Sequence, residues 1–354
     1  MGTLLTKSQL LNAVHGTQIG NADCFFDDVQ TDSRNVSEDK KCMFVPLVGE
    51  FQNGHKYIPS VLAKGASVVL LNKSEYEENK ALYDEMAASN PAVCFVAVEN
   101  TLHGLQDAAE AYVEEKCQHM VKVSITGSSG KTTTKEMMVA VAKAHFGDDA
   151  VAYTKGNFNS ETGLPLSVFK IRGDEKIGIF EMGMNRVNEI QEISKIWKSQ
   201  YGIITNIGTA HIGILGSREN IAKEKRKSLD YIPANGAAFV GEADSFADYC
   251  TENVKGKTVK FGKAVPEQVS GVKFIADKGL FGSVFTVDGL TVNLPLSGEY
   301  NFINALSVIA CAKAIGLTAL ALKDYAIIIG VPILYCIVAS FAKHIYIKKY
   351  GEWI

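Results

Sequence analysis

The sequence lacks a strong excess of either charge, and it lacks the cysteine spacing of a metal or disulfide site. Its 36 Lys and Arg residues nearly balance 39 Asp and Glu residues, giving a net charge of -3, so nothing in the overall charge favours binding to nucleic acid. The seven cysteines are odd in number, widely scattered and without a CxxC pair, which fits neither a zinc site nor a disulfide framework. We therefore expect reduced thiols and a cytoplasmic protein.

The chain also lacks a leader-like N-terminus, internal repeats and low-complexity linkers. Residues 1–16 have no continuous apolar run and no cleavage pattern, and they predict a short amphipathic helix rather than a signal peptide. Hydrophobic residues at 47% and charged residues at 21% are typical of globular proteins, not of disordered or coiled-coil chains. A length of 354 residues predicts two or three domains, each with its own core.

The order of strand and helix patterns predicts an α/β protein. Residues 1–100 are expected to form a small N-terminal α/β domain, with a single charged helix over 74–89. Residues 101–317 are expected to form a central domain of the P-loop type. Because strands and helices alternate there, we predict a mostly parallel sheet with helices on both faces.

The strongest local signal is TGSSGKTTT at residues 126–134, between an apolar strand and a helix. Glycines let backbone N–H groups turn toward a phosphate, and the helix N-terminus adds a favourable dipole. Lys131 would reach the β- and γ-phosphates, and the Thr132 hydroxyl would bind Mg²⁺. Residue 125 is Ile where the full motif has Gly, so a chance glycine turn is the alternative. The candidate nucleotide-binding residues are Gly127, Ser128, Ser129, Gly130, Lys131, Thr132 and Thr133.

Two neighbouring strands also end in polar side chains. Glu181 ends an apolar strand, where α/β folds place ligand-binding groups, and its carboxylate suits Mg²⁺; a solvated acid is the alternative. His211 follows a third strand and is a candidate for the same ligand site, with a purely structural role as the alternative. Asn301 and Asn304 lie three residues apart at a helix start, which by itself indicates only a cap. The basic run at 222–227 indicates a solvated helix face for most of its members.

In this order, the segments resemble the Mur ligase family of ATP-dependent amide-bond-forming ligases, over about residues 5–317. TGSSGKTTT is similar to the family's short phosphate loop, which accounts for the missing first glycine. The remaining matches resemble the members that join D-alanyl-D-alanine to UDP-N-acetylmuramoyl-tripeptide. These matches are residues 31–34 (TDSR), 44–47 (FVPL), 54–55 (GH), 155–166 (KGNFNSETGLPL) and 181–185 (EMGMN).

The resemblance implies a substrate site and a nucleotide site. Ser33 and Arg34 would hold the UDP part of the nucleotide-sugar substrate. The substrate side of the central domain would be lined by Asn157, Asn159 and Thr162. The nucleotide site would be organised around ATP and Mg²⁺ by Lys131, Thr132, Glu181 and His211, with Asn301 and Asn304 near the adenine.

The resemblance also implies a carbamylated lysine at the metal site. By its offset from His211 we place it at Lys225, with Lys223 as the alternative. Carbamylation turns a cation into a carboxylate-like oxygen ligand, so the residues implied to hold Mg²⁺ and support catalysis are Lys131, Thr132, Glu181, His211 and Lys225.

The implied reaction activates a carboxylate with ATP. Phosphorylation of the tripeptide's terminal carboxylate gives an acyl phosphate, and the amine of D-alanyl-D-alanine then displaces phosphate. A sister ligase adding a different amino acid, or a non-catalytic remnant that binds nucleotide and UDP-sugar, are the alternatives. We expect a monomer that does not bind nucleic acid.

The resemblance fades after Leu317, where the family continues into a third, Rossmann-like domain that closes over ATP. We expect that domain to be missing and replaced by an apolar helical tail at residues 318–354. Residues 325–342 are 18 residues without a formal charge, enough for a transmembrane helix, and they largely account for a mean hydropathy of +0.05. The basic flank would leave the ligase region outside, away from ATP. A frame-disrupted or truncated gene, a membrane-anchored variant and a buried helix kinked at Pro332 stay open. Membrane contact is expected only through 325–342.

Overall fold

The computed structural model describes residues 2–262 and 271–317, so the apolar tail and its candidate membrane helix at 325–342 lie outside the described residues. The described chain forms two compact units. The first comprises residues 1–120, 154–175 and 182–198, and the second comprises residues 121–153, 176–181 and those from 199 onward. Across the part of the chain that the structure describes, none of the helices is both long and apolar enough for a membrane span.

The chain alternates between short strands and helices. The strands are β1 (Thr17–Ile19), β2 (Asp28–Gln30), β3 (Cys42–Phe44), β4 (Val68–Asn72), β5 (Cys94–Val98), β6 (Val121–Thr126), β7 (Val151–Tyr153), β8 (Ile177–Glu181), β9 (Tyr201–Ile204), β10 (Ala237–Gly241), β11 (Lys257–Phe261), β12 (Val272–Asp277), β13 (Ser283–Val287) and β14 (Leu290–Leu294). The helices are α1 (Lys7–Ala13), α2 (Ile58–Ala63), α3 (Lys73–Glu78), α4 (Lys80–Ser89), α5 (Thr101–Lys116), α6 (Lys131–Phe146), α7 (Gly163–Val168), α8 (Glu189–Trp197), α9 (Ile212–Leu215), α10 (Arg218–Arg226), α11 (Ala247–Thr251) and α12 (Glu299–Ile315).

The first unit is built on a sheet of order β1-β5-β4-β3-β2, in which only β1 is antiparallel to its neighbour. Its central strands β4 and β5 are almost wholly buried, as expected for apolar runs in a parallel sheet covered on both faces. The unit extends beyond the predicted boundary at residue 100, because α5 packs against α1, α7 and α8. The single helix predicted over 74–89 is two helices, with a break at Asn79.

The expectation that every thiol is reduced is wrong at one pair, since a disulfide joins Cys24 and Cys94, with their Cα atoms 5.3 Å apart. The antiparallel pairing of β1 with β5 brings the chain that follows β1 to the start of β5, where Cys94 lies. The two cysteines are 70 residues apart in sequence, so their spacing gave no signal. Cys42 and Cys250 are buried thiols, and burial raises the pKa of each to about 12.

The second unit is built on a six-stranded parallel sheet of order β11-β10-β9-β6-β8-β7, and the predicted mostly parallel α/β fold is confirmed. Strand β6 lies between β8 and β9, so the chain leaves it first toward one edge and later toward the other. Ligands of open α/β sheets bind at such a switch point, at the carboxyl ends of the strands. The sheet therefore brings the ends of β6, β8 and β9 together at one edge.

The predicted hairpin at Asp288-Gly289 joins β13 to β14, with positive φ at both turn residues. Together with β12 these strands form a three-stranded antiparallel sheet. Phe302 of α12 packs on this sheet, with its ring centroid 5.2 Å from that of Phe285. Helix α12 also packs against α6, β10 and β11, and Asn304 in its second turn lies against Gly130 of the phosphate loop.

Candidate functional site

The phosphate loop joins the carboxyl end of β6 to the first turn of α6. Gly127 and Gly130 both have positive φ, at 153° and 79°. A side chain at residue 127 would meet the Thr205 hydroxyl at 1.8 Å, and one at residue 130 would meet the Asn304 amide at 2.8 Å. Glycine is required at both positions by backbone conformation and by space.

Two lysines converge on one carbonyl oxygen of this loop. The Nζ atoms of Lys131 and Lys225 each donate to the Gly127 carbonyl over 2.9 Å. Lys225 is only 1% exposed, and burial, with the positive charge of Lys131, lowers the pKa of its amine to about 7. Burial also lowers the pKa of Lys131. Lys223, the alternative to Lys225, is exposed to solvent.

Glu181 lies beside the loop at the end of β8, opposite Ile125 of β6. Its carboxylate is 2% exposed, and its Oε2 accepts a hydrogen bond from the Thr132 hydroxyl over 2.9 Å. Hydroxyl and carboxylate oxygens are ligands that Mg²⁺ prefers. Within residues 2–262 and 271–317, no group of three or more His, Cys, Asp or Glu side chains is placed to hold a metal ion.

The third strand end holds the loop through contacts that sequence reasoning missed. The Thr205 hydroxyl donates to the Ser129 carbonyl over 2.6 Å, and the Ser128 N–H donates to the Asn206 carbonyl over 3.0 Å. Thr205 and Asn206 come directly after a buried strand, and this position was their only signal in the sequence. His211 lies directly before the short helix α9 and has a left-handed φ of 66°, and its part in the site stays a prediction.

A cavity of about 690 Å³ adjoins the loop, and Asn301 and Asn304 are among the residues that line it. Their predicted place near an adenine stays a prediction. The Asn304 side chain is buried against Gly130, and the Asn301 amide donates to the Ser297 carbonyl over 2.8 Å. Sequence reasoning missed three further lining residues, which carry a cation, a carboxylate and an exposed aromatic ring: Arg218, Asp244 and Tyr300.

Arg218 and Asp244 bind the same peptide segment from two sides. The Arg218 guanidinium donates to the Ile207 carbonyl over 2.7 Å, and the Ile207 N–H donates to the Asp244 carboxylate over 2.5 Å. These two contacts fix the chain that follows β9 and leads to His211.

The first unit has its own cleft, of about 410 Å³, with Ser33 and Arg34 in its lining. The Asp32 carboxylate accepts from the Arg34 guanidinium over 2.6 Å and from its backbone N–H over 2.9 Å. These bonds hold the pKa of Asp32 at about 2. Gln52 and Tyr57 also line the cleft, and they were missed because nothing in their local sequence marks them.

Asn157, Asn159 and Thr162 belong to the first unit, whereas the phosphate loop belongs to the second. They lie in the stretch that precedes α7, and the Asn159 carbonyl accepts from the Gly183 N–H over 2.8 Å. The structure thus gathers the implied nucleotide residues in one unit and the implied substrate residues in the other.

The sheet topology defines the second unit as a parallel α/β structure, with a glycine loop and two lysines at its switch point. A family model described as the Mur ligase middle domain matches residues 125–312. The chain belongs to the Mur ligase family.

Relatives that match most of the chain carry one enzyme name. UDP-N-acetylmuramoyl-tripeptide--D-alanyl-D-alanine ligase of Treponema pallidum is 36% identical over 89% of this chain, and the Bacillus subtilis protein of the same name is 30% identical over 89%. The chain spans 66% and 62% of their respective lengths. A crystal structure of MurF from Acinetobacter baumannii superposes with a TM-score of 0.75 at 27% identity, covering 91% of this chain and 67% of that one.

Proposed function

We propose that the protein is an ATP-dependent ligase of peptidoglycan precursor synthesis, which joins D-alanyl-D-alanine to UDP-N-acetylmuramoyl-tripeptide. The observation that carries the proposal is the edge where β6, β8 and β9 end. There two lysines share the Gly127 carbonyl, and the Thr132 hydroxyl bonds the Glu181 carboxylate. The names of the relatives supply the substrates. Because the chain spans about two thirds of their length, the whole reaction is proposed.

The phosphate loop and the adjoining cavity form the ATP half of this proposal. The adenine lies near Asn301 and Asn304, while loop N–H groups and Lys131 bind the phosphates. Thr132 and Glu181 would hold Mg²⁺, and their oxygens fit that ion. The ion would neutralise phosphate charge during transfer. His211 is proposed to organise this half of the site.

Lys225 is proposed as the carbamylated lysine. Its burial against the loop supports it over the solvent-exposed Lys223. The reaction needs a neutral amine, which attacks carbon dioxide, forms an N–C bond and releases one proton. The carbamate would then supply oxygen ligands of the kind that Mg²⁺ prefers.

The first unit supplies the substrate half. Ser33 and Arg34 would bind the UDP group in their cleft, with the tripeptide on the side of Asn157, Asn159 and Thr162. A terminal carboxylate oxygen of the tripeptide attacks the γ-phosphorus and ADP leaves. The amine of D-alanyl-D-alanine then attacks the acyl carbon, phosphate leaves and the amine loses a proton. This chain's contribution is positioning and charge neutralisation.

A cytoplasmic location and a monomeric state complete the proposal. The cytoplasmic location is supported by the proposed substrates, because ATP and UDP-linked precursors are supplied there. The cysteines do not support it, since one pair of them forms a disulfide. The diamino acid of the tripeptide is left open.

Phosphate release tests the proposal. We expect release that requires ATP, UDP-N-acetylmuramoyl-tripeptide and D-alanyl-D-alanine together, and we expect Lys131→Ala to abolish it. The matched control is Lys143→Ala, on the last turn of the same helix and paired with Asp148 at 3.6 Å, which should keep wild-type release. Binding of nucleotide and UDP-sugar without release would favour the non-catalytic alternative, and release with a different amino acid would favour a sister ligase.

A further inference from the structure

Two loops of the first unit meet around one arginine. We call residues 155–162, which precede α7, the substrate loop, and residues 182–188, which precede α8, the clamp loop. The substrate loop carries Asn157, Asn159 and Thr162, and the clamp loop directly follows Glu181 in the chain.

Arg186 of the clamp loop binds two carboxylates on separate elements. Its Nε donates to Glu161 of the substrate loop over 2.9 Å, and its Nη2 bonds the same carboxylate. On the other side, its Nη1 and Nη2 donate to the two oxygens of Glu192 on α8, over 2.9 Å and 2.5 Å. The two carboxylates raise the pKa of Arg186, so the guanidinium stays charged. A planar guanidinium fits this geometry, whereas a lysine ammonium offers only a point charge.

The backbone of the two loops is bonded in the same region. The buried Glu189 carboxylate accepts from the Glu161 N–H over 3.2 Å and from the Asn185 N–H over 2.5 Å. The Gly183 N–H donates to the Asn159 carbonyl over 2.8 Å. Gln106 of α5 adds a bond from its amide to the Glu161 carbonyl over 3.2 Å. Every one of these contacts lies within the first unit.

We propose that Arg186 is a positioning residue for the peptide part of the substrate, because its guanidinium ties Glu161 of the substrate loop to Glu192 of α8. It holds the loop in the conformation that presents Asn157, Asn159 and Thr162, and it does not itself touch the UDP group. This inference rests on the proposed function. It goes beyond that function in naming a residue outside the nucleotide and UDP sites that selects for the peptide-bearing substrate.

The test compares three ligands by calorimetry on the full chain: UDP-N-acetylmuramoyl-tripeptide, UDP alone and a non-hydrolysable ATP analogue with Mg²⁺. In Arg186→Gln the Kd for the tripeptide substrate should rise about tenfold or more, because a displaced loop loses its contacts. The Kd values for UDP and for the ATP analogue should stay within about twofold, since their sites are elsewhere. A general loss of folding would weaken the binding of all three ligands.

Lys195→Gln is the matched control. Lys195 lies on α8, is exposed to a similar degree as Arg186 and pairs with Glu110 at 2.9 Å. It should bind all three ligands as the wild type does. Arg186→Lys keeps the charge but loses the planar fork, and it should give an intermediate Kd for the tripeptide substrate. This variant also keeps the test informative if Arg186→Gln does not fold.

Three outcomes would overturn the inference. Unchanged tripeptide binding in Arg186→Gln would show that the loop does not need the clamp, while leaving the proposed function intact. Equal weakening of tripeptide substrate and UDP would make Arg186 a general support of the first unit. Wild-type protein that binds the tripeptide substrate no better than UDP would remove the substrate loop's role, and with it the substrate half of the proposed function.

Discussion

Gly130 shows how a single position can be fixed by two separate constraints. Its φ of 79° disfavours any side chain, and a Cβ atom there would lie only 2.8 Å from the Asn304 amide nitrogen. Gly147, at the other end of α6, has a φ of 92° but nothing within 4 Å of the same position. Substitution of Gly147 would therefore cause backbone strain alone, whereas substitution of Gly130 would cause both strain and a steric clash.

We predict that Gly130→Ala weakens binding of a non-hydrolysable ATP analogue by about tenfold or more, because the loop must shift to make room. Gly147→Ala should cost only about 1–3 kcal/mol of unfolding free energy, from strain, and leave nucleotide affinity unchanged. Calorimetric titration and urea unfolding of both variants give the two quantities. Equal nucleotide affinity in the two variants would contradict the placement of Asn304 against the loop.

His55 links stability of the first unit to pH. It is buried, and burial lowers its pKa below the usual 6.5. Its Nε2 accepts from the Asn72 N–H over 3.0 Å, and its Nδ1 is bonded to Asn53 Oδ1 over 2.7 Å, so the neutral ring is the form that fits. Because the folded-state pKa is the lower one, its contribution to stability is complete above about pH 6.5 and is lost as pH falls through the folded pKa.

We predict that the urea midpoint of the wild type falls between pH 7.5 and pH 5.5, and that His55→Gln reduces this fall. His103→Gln, at an exposed position on α5, is the control, and its urea midpoint should change with pH as that of the wild type does. A wild-type midpoint that is level across this pH range would argue against a buried neutral ring at residue 55.

At the scale of elements, local patterns predicted strands and helices well where one segment contains the whole signal. The phosphate loop is such a case, because strand, glycines, lysine and helix start are consecutive in sequence. The two-helix break at Asn79 was missed, since the charged residues on either side read as one continuous helix. Asn206, Tyr57 and Arg218 were missed because each reaches its site through tertiary packing that no neighbouring residue announces.

The three-stranded sheet depends on its packing against α12. Phe285 is buried with its ring against Phe302, whereas Phe281, just before the same strand, is 83% exposed. We predict that Phe285→Ala lowers the unfolding free energy by about 3–5 kcal/mol through lost burial and a cavity. Phe281→Ala should change it by less than about 0.5 kcal/mol. Urea unfolding checks both, and similar values for the two variants would contradict this packing.

At the scale of the whole molecule, the sequence predicted a domain boundary at residue 100. The first compact unit also contains residues 101–120, 154–175 and 182–198. Composition does not change at these points, so only the packing of α5, α7 and α8 reveals the grouping. The two sites implied by the family resemblance stay predictions, and the residues implied for each of them lie within a single unit.

The two sites should respond separately to their ligands. We predict that the ATP analogue with Mg²⁺ slows amide hydrogen exchange over residues 127–133 and 301–304, because it binds only the folded second unit there. UDP should slow exchange over residues 31–34 and 52–57. The internal reference is residues 103–110 of α5, which neither ligand should protect. Protection of residues 31–34 by the nucleotide analogue alone would contradict separate sites.

The interleaving of the two units also sets an order on folding during synthesis. Segments 154–175 and 182–198 of the first unit emerge from the ribosome after β6 and the phosphate loop, which belong to the second. A nascent chain of 120 residues therefore lacks α7 and α8, against which α5 packs. The residues that contact the phosphate loop are synthesised later than the loop itself: those after β9 first, then Lys225 and last Asn304. We therefore expect nucleotide to stabilise the second unit only after the chain has been synthesised through Asn304, when the non-local strands have already paired.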